Sequence, residues 1–151
     1  VSVDIGFGDV VTPYPLSLDY PLLLPDVPAV ELYAYSLETL IAEKFHAMVD
    51  RDESNSRMKD FFDCYQLLTQ RSFSDEMLYE AIKATFDNRA LGYKTNLKLF
   101  SDEFATDKDR IIRWKSFLKK INWKEDIPFA SVMQVIKTHL KPMATRYWNE
   151  K

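Results

Sequence analysis

The sequence predicts an α+β fold, a short N-terminal strand element followed by a predominantly helical bundle, and three observations carry that expectation. Apolar residues alternate strictly at Val1, Val3, Ile5 and Phe7, the period of a half-buried strand. Five of the seven prolines fall between residues 12 and 28, where they remove backbone donors and favour an extended, surface-hugging connection, neither helix nor central strand. From Ser36 onward the apolar residues recur at spacings of three and four, as they do on amphipathic helices.

Each element follows in order. Val1–Phe7 reads as a strand, with Ser2, Asp4 and Gly6 on its polar face. After the proline-rich connection, Val30 to Tyr35 reads as a second short strand that could pair with the first. Helices are expected near 37–49, 57–70, 75–88, 97–105, 108–121 and 128–141. Ser36, Ser56 and Ser74 are placed as N-caps, and Pro128 suits a first helical turn. The chain therefore divides at residue 35, into a strand-bearing part (1–35) and a helical domain (36–151). No internal repeat or low-complexity tract interrupts it.

Composition narrows the function. The chain has 151 residues, 46% of them hydrophobic, enough to bury a sizeable core. A net charge of −3 sets up no global field for a nucleic acid or a membrane, so any such surface must be local. A lone cysteine, Cys64, excludes an internal disulfide and fits a reducing compartment. No apolar run approaches the roughly 18 residues of a membrane span, and no signal sequence stands at the front; a cytoplasmic location is expected. The chain opens at Val1 directly in strand-like alternation, as a part of a longer protein would.

In the first helix Leu37, Leu40, Ile41, Phe45 and Met48 form one stripe, and Lys44 projects from near its centre. A buried ammonium needs a carboxylate or a bound anion, or must thread its stem outward. On the second helix Met58, Phe61, Phe62, Tyr65 and Leu68 make the apolar stripe, while Lys59, Asp60 and Asp63 share the other side with Leu67. The polar loop between them, residues 50–57, can bring Arg57 and a helix N-terminus, which attracts phosphates, beside Lys44. Salt bridges near a core and one wall of an anion site both fit this pattern.

The segments Ile5-Gly6-Phe7-Gly8-Asp9, Tyr35-Ser36-Leu37-Glu38-Thr39, Ala42-Glu43-Lys44-Phe45-His46-Ala47-Met48, Asn55-Ser56-Arg57-Met58-Lys59-Asp60-Phe61-Phe62-Asp63, and Thr85-Phe86 with Arg89 resemble, in this order, the C-terminal part of the AbiEii family of nucleotidyltransferase-like toxins. That resemblance implies a fold related to the DNA polymerase β-type nucleotidyltransferases. It further implies the toxin half of a bacterial type IV toxin–antitoxin or abortive-infection system, with transfer of a nucleotide from a nucleoside triphosphate, in some members onto tRNA. An antitoxin protein is the implied partner and Mg²⁺ the implied cofactor. Residue by residue, Asp4 resembles a metal-site carboxylate, with Gly6 leaving room beside it. Lys44, and Arg57 or Lys59, would reach the triphosphate. Asp60 would orient a lysine or help at the metal, with Asp63 as structural support. Asp4, Lys44 and Asp60 are thus the catalytic candidates, and Asp4 is preferred over Asp9, which also suits a turn.

One departure stands out. The family's Gly-Ser, followed about ten residues later by Asp-x-Asp, has no counterpart in these 151 residues. The chain alone is therefore expected to be catalytically incomplete. A non-catalytic helical module that binds an antitoxin-like partner is the alternative function.

The remaining features are weaker. His46 and His139 lack ligand-spaced partners and read as surface histidines, and Cys64 reads as a small buried residue. Residues 110–124 are locally basic with interleaved aromatics, which suits either an RNA-binding face or a core stripe backed by solvated lysines.

Overall fold

The computed structural model describes residues 8–20, 28–70, 72–92, 94 and 96–151. The strand expected at residues 1–7, and with it Asp4 and Gly6, lies outside the described residues. Two strands, β1 (Leu16–Tyr20) and β2 (Val30–Ala34), form an antiparallel hairpin with Leu18 opposite Leu32. β1 falls inside the stretch read above as a mere connection. Its own five residues, Leu-Ser-Leu-Asp-Tyr, are free of proline and alternate in polarity, so the prolines bound it without entering it.

The helices are α1 (Leu37–Arg51), α2 (Met58–Gln70), α3 (Asp75–Asn88), α4 (Asp102–Thr106), α5 (Lys108–Lys120) and α6 (Phe129–Asn149). The described residues thus make an α+β arrangement dominated by helix. Ser36 caps α1, accepting from the Thr39 N–H at 3.1 Å, and Ser74 caps α3. At the start of α2 no hydrogen bond from a Ser56 cap is found among the described residues; the Asn55 Oδ1 accepts from the Arg57 N–H at 2.8 Å and closes the turn that leads into the helix. Asn55 is fully buried, and that burial lets its amide also donate to the Ala47 carbonyl. The single helix expected at 97–105 is split: a 3₁₀ turn over Lys98–Phe100 gives way to α4 at Ser101, which accepts from the Phe104 N–H.

α6 runs eight residues past its expected end at 141, straight through Pro142. A proline inside a helix removes one hydrogen bond and costs about 3 kcal/mol. Here Leu140, Ala144 and Tyr147 are all buried beyond or beside it, and fully burying a side chain such as that of Leu140 returns about 1.5–3 kcal/mol.

α1 packs chiefly on α3, and α2 on α6, with α5 laid beside α2. Phe61 is wholly buried, edge-on to Phe129 at 5.5 Å. Phe62 and Tyr65 are only partly buried. Phe62 meets Trp123 at 5.0 Å and Phe117 at 5.7 Å, which joins α2 to α5. The Trp114 indole of α5 donates to the Ile127 carbonyl at 2.6 Å, which satisfies its buried N–H. Among the described residues no helix is long and apolar enough to cross a membrane.

Candidate functional site

α1 buries Ile41, Phe45, Met48 and Val49 completely, and that packing fixes the direction in which Lys44 leaves the helix. Its side chain is 22% exposed and its ammonium lies 2.6 Å from Asp63 and 3.6 Å from Asp60. Both carboxylates stand one turn apart on α2. Lys59 reaches the same Asp63 oxygen, Oδ2, also at 2.6 Å, with 73% of its side chain in solvent. Arg57, mostly exposed, comes to 3.9 Å of Asp60. Lys44, Arg57, Lys59 and Asp60 thus lie together with Asp63, three cations around two carboxylates. Asp4, expected on the opposite wall, lies outside the described residues.

The closest partner of Lys44 is Asp63, read above as support only. That both carboxylates face Lys44 was readable from the sequence, since Asp60 and Asp63 are three apart on one helix and so share a face; which of them lies closer was not. Burial works against charge on the Lys44 ammonium, but the hydrogen bond to Asp63 and the charges of Asp63 and Asp60 override it and hold its pKa above the ordinary value. Burial likewise pushes the Asp63 carboxyl up, and the hydrogen bonds from Lys44 and Lys59 outweigh it, so its pKa lies below the ordinary value. Cys64, wholly buried behind this cluster, has its thiol pKa raised by burial and is inert.

Asp60 keeps one oxygen, Oδ2, buried and without a hydrogen bond. A carboxylate oxygen of this kind is a donor that a hard cation accepts. The neighbouring positions are taken by Lys44 and Arg57, however, and no group of three acidic, His or Cys residues among the described residues could hold a metal ion. The described residues do not by themselves fit magnesium.

The loop leading into α2 is fastened from another element. Arg110 of α5 donates to the Asn55 carbonyl at 2.6 Å and to the Glu53 carbonyl, while its guanidinium covers the Phe104 ring at 3.8 Å. On the far flank of α1, Arg89 bridges Asp9 and Glu43, each at 2.7 Å, and Tyr35 donates to Asp9 at 2.9 Å. Asp9, Tyr35, Glu43 and Arg89 all belong to the matching segments noted above, and they prove to be one ion-pair cluster. It borders a polar hollow of about 480 Å³ between Gly8–Asp9, His46 and residues 88–92. His46 is not a surface histidine. It is half-buried and edge-on to Phe86, and burial, with the nearby Arg89 charge, lowers its pKa. His139 is also partly buried, against Phe73.

The family model for the nucleotidyl transferase AbiEii toxin of type IV toxin–antitoxin systems matches residues 1–135. The chain belongs to the AbiEii family. No curated protein and no solved structure matches it. Membership makes this a nucleotidyltransferase-like toxin sequence, of a family whose systems pair a toxin with an antitoxin. The match spans both α1 and α2, so the Lys44 cluster lies inside it.

Proposed function

We propose that the chain is the portion of an AbiEii-type nucleotidyltransferase that grips the triphosphate of a nucleoside triphosphate, with tRNA as a candidate acceptor. One observation carries this reading. A largely buried lysine is held by two carboxylates at the start of a helix whose exposed margin carries two more cations, Arg57 and Lys59. Nucleotidyl transfer leaves developing charge on phosphate oxygens, and preplaced cations absorb it without reorganising. In the resting site Asp63 and Asp60 neutralise Lys44. A triphosphate would take over Lys44, Arg57 and Lys59, with Asp60 keeping the Lys44 ammonium aimed. In this reading Lys44 and Asp60 are catalytic, Arg57 and Lys59 bind substrate, and Asp4 supplies a carboxylate from the strand side. Magnesium, which the family's chemistry would use, needs carboxylates beyond those described, and no step is routed through it.

In the same reading residues 1–35 belong to a nucleotidyltransferase sheet and 36–151 form the helical domain. The single thiol and the absence of a membrane-length helix among the described residues favour the cytoplasm. A second reading, a non-catalytic module bound to an antitoxin-like partner, draws on the hairpin. Leu16, Leu18 and Tyr20 of β1 and Val30 and Leu32 of β2 share one face and are each 40–55% exposed, an apolar surface that a protein partner could cover.

Calorimetric titration of a non-hydrolysable nucleoside triphosphate into the protein and its Lys44→Ala variant separates the two. Loss of binding in the variant, with the helical signal intact, supports the grip. Equal binding by both proteins, or none by either, leaves the module.

A further inference from the structure

The outward face of α5 carries a charge pattern that the triphosphate site does not use. Residues 108–124 hold seven cations and one acid, Asp109, a local charge of +6. Since the whole chain carries −3, the other 134 residues sum to −9, and the positive field of the molecule is concentrated here. Of the seven, only Arg110 is engaged, turned inward onto the loop carbonyls. The other six, Lys108, Arg113, Lys115, Lys119, Lys120 and Lys124, are exposed and make no ion pair among the described residues. Elsewhere most cations are paired, Lys83, Arg89, Lys137 and Arg146 among them.

Their placement is ordered. At about 100° per residue, Lys108, Lys115 and Lys119 form one row along α5, about 16 Å long at the helical rise. Arg113 and Lys120 form a second row roughly 120° around the helix. Between the rows lie Ile112, Ser116 and Asp109, all exposed. The aromatics of this segment face inward: Trp114 is buried, and Phe117 and Trp123 are packed against the core. No ring is left for stacking on splayed bases, so single-strand recognition by stacking is excluded for this face.

We infer that the outward face of α5 is a docking surface for an RNA duplex stem, its two rows of cations straddling a groove and contacting the phosphates on either side. The choice of RNA follows from the strip between the rows. Ser116 can donate or accept and Asp109 accepts, which suits the 2′-hydroxyls displayed in the wide, shallow minor groove of A-form RNA. A DNA duplex has no 2′-hydroxyl and offers donors only on particular base edges, whereas the RNA minor groove offers a 2′-hydroxyl at every step, whatever the sequence. Arg110, on the opposite side of the helix, ties α5 to the loop that begins α2. The inference rests on the proposed reading for its RNA acceptor and gives that acceptor a place to dock, while its test does not depend on the triphosphate site.

The test is fluorescence anisotropy with a labelled RNA duplex and a DNA duplex of matching sequence, titrated across a range of salt. The proteins are the unaltered chain, the Lys115→Gln/Lys119→Gln/Lys120→Gln variant and Lys44→Ala. The three lysines are exposed and unpaired, so the triple variant keeps its fold, checked by circular dichroism. It is expected to bind RNA at least about tenfold more weakly at low salt, with the slope of log affinity against log salt reduced by about 3. Lys44→Ala is expected to bind RNA as the unaltered chain does, so loss of triphosphate binding there leaves docking intact. Unchanged RNA affinity in the triple variant, or no RNA binding by the unaltered chain, overturns the docking surface. Equal affinity for DNA and RNA overturns the assignment to RNA.

Discussion

Asp63 offers two lysines the same distance and very different surroundings, and this makes the energetics of the cluster testable. Lys44 and Lys59 both approach it at 2.6 Å, but Lys44 is 22% exposed and Lys59 is 73% exposed. If distance alone set the coupling, the two pairs would be equal. Burial should decide instead. With an effective dielectric of about 20, unit charges about 4 Å apart attract by about 4 kcal/mol, most of which desolvation offsets. An exposed i,i+4 pair contributes only about 0.3–0.5 kcal/mol. The expectation is about 1–2 kcal/mol of coupling for Lys44–Asp63 and a few tenths for Lys59–Asp63. Double-mutant cycles with Lys44→Met, Lys59→Met and Asp63→Asn, read by urea unfolding, measure both. Couplings of equal size, or a larger one for Lys59, would refute the role assigned to burial. The pH dependence has a fixed sign. The Asp63 carboxyl is held below its unfolded value, so its contribution is complete above about pH 4 and fades as pH falls through the folded pKa. The Lys44 ammonium is held above its unfolded value, so its contribution is complete below about pH 10 and fades as pH rises through the folded pKa. The Lys44–Asp63 coupling should therefore be flat between about pH 5 and 9 and collapse on both sides.

Other expectations concern the rest of the molecule. Phe61→Ala, which empties a fully buried site between α4 and α6, should cost about 3–5 kcal/mol in chemical denaturation. Ser36→Ala removes both the α1 cap and a bond donated to the Thr12 carbonyl and should cost about 1–2 kcal/mol by the same measurement. Arg89→Ala releases Asp9 and Glu43 together, so limited proteolysis mapped by mass spectrometry should show faster cleavage near residues 8–15. Cys64, buried with its thiol pKa raised by burial, should resist a thiol reagent in the native protein and react fully in denaturant.

The helical part was legible in the sequence because local signals agreed with the packing. Ser36 and Ser74 mark helix starts with their own hydroxyls, and the stripe containing Ile41, Phe45 and Met48 identifies the buried face of α1. What escaped depended on partners remote in sequence. β1 is a strand because Val30–Ala34 pairs with it, and the surrounding prolines masked that. The reach of α6 beyond Pro142 depends on cover for Leu140, Ala144 and Tyr147, which no local rule reports. In the site, the inward course of Lys44 could be read from helical periodicity. The preference for Asp63 over Asp60 could not, since it turns on an ångström of interhelical placement. The Arg89 bridge between Asp9 and Glu43 joins residues 80 and 46 positions apart, beyond any sequence window.

Arg110 has a wider consequence. By clasping the Glu53 and Asn55 carbonyls from a neighbouring helix, it makes the position of the α1–α2 loop a readout of how α5 is seated. Trp114, one turn further along α5, is buried against Phe62 of α2 and Phe129 of α6, so the helix that carries the clasp is itself seated in the core. A shift in the seating of α5 would therefore carry the Arg110 clasp, and the loop that leads into α2, with it. Substitution at Trp114 or Leu118 is expected to loosen that loop, read as faster amide hydrogen exchange at Glu53–Ser56.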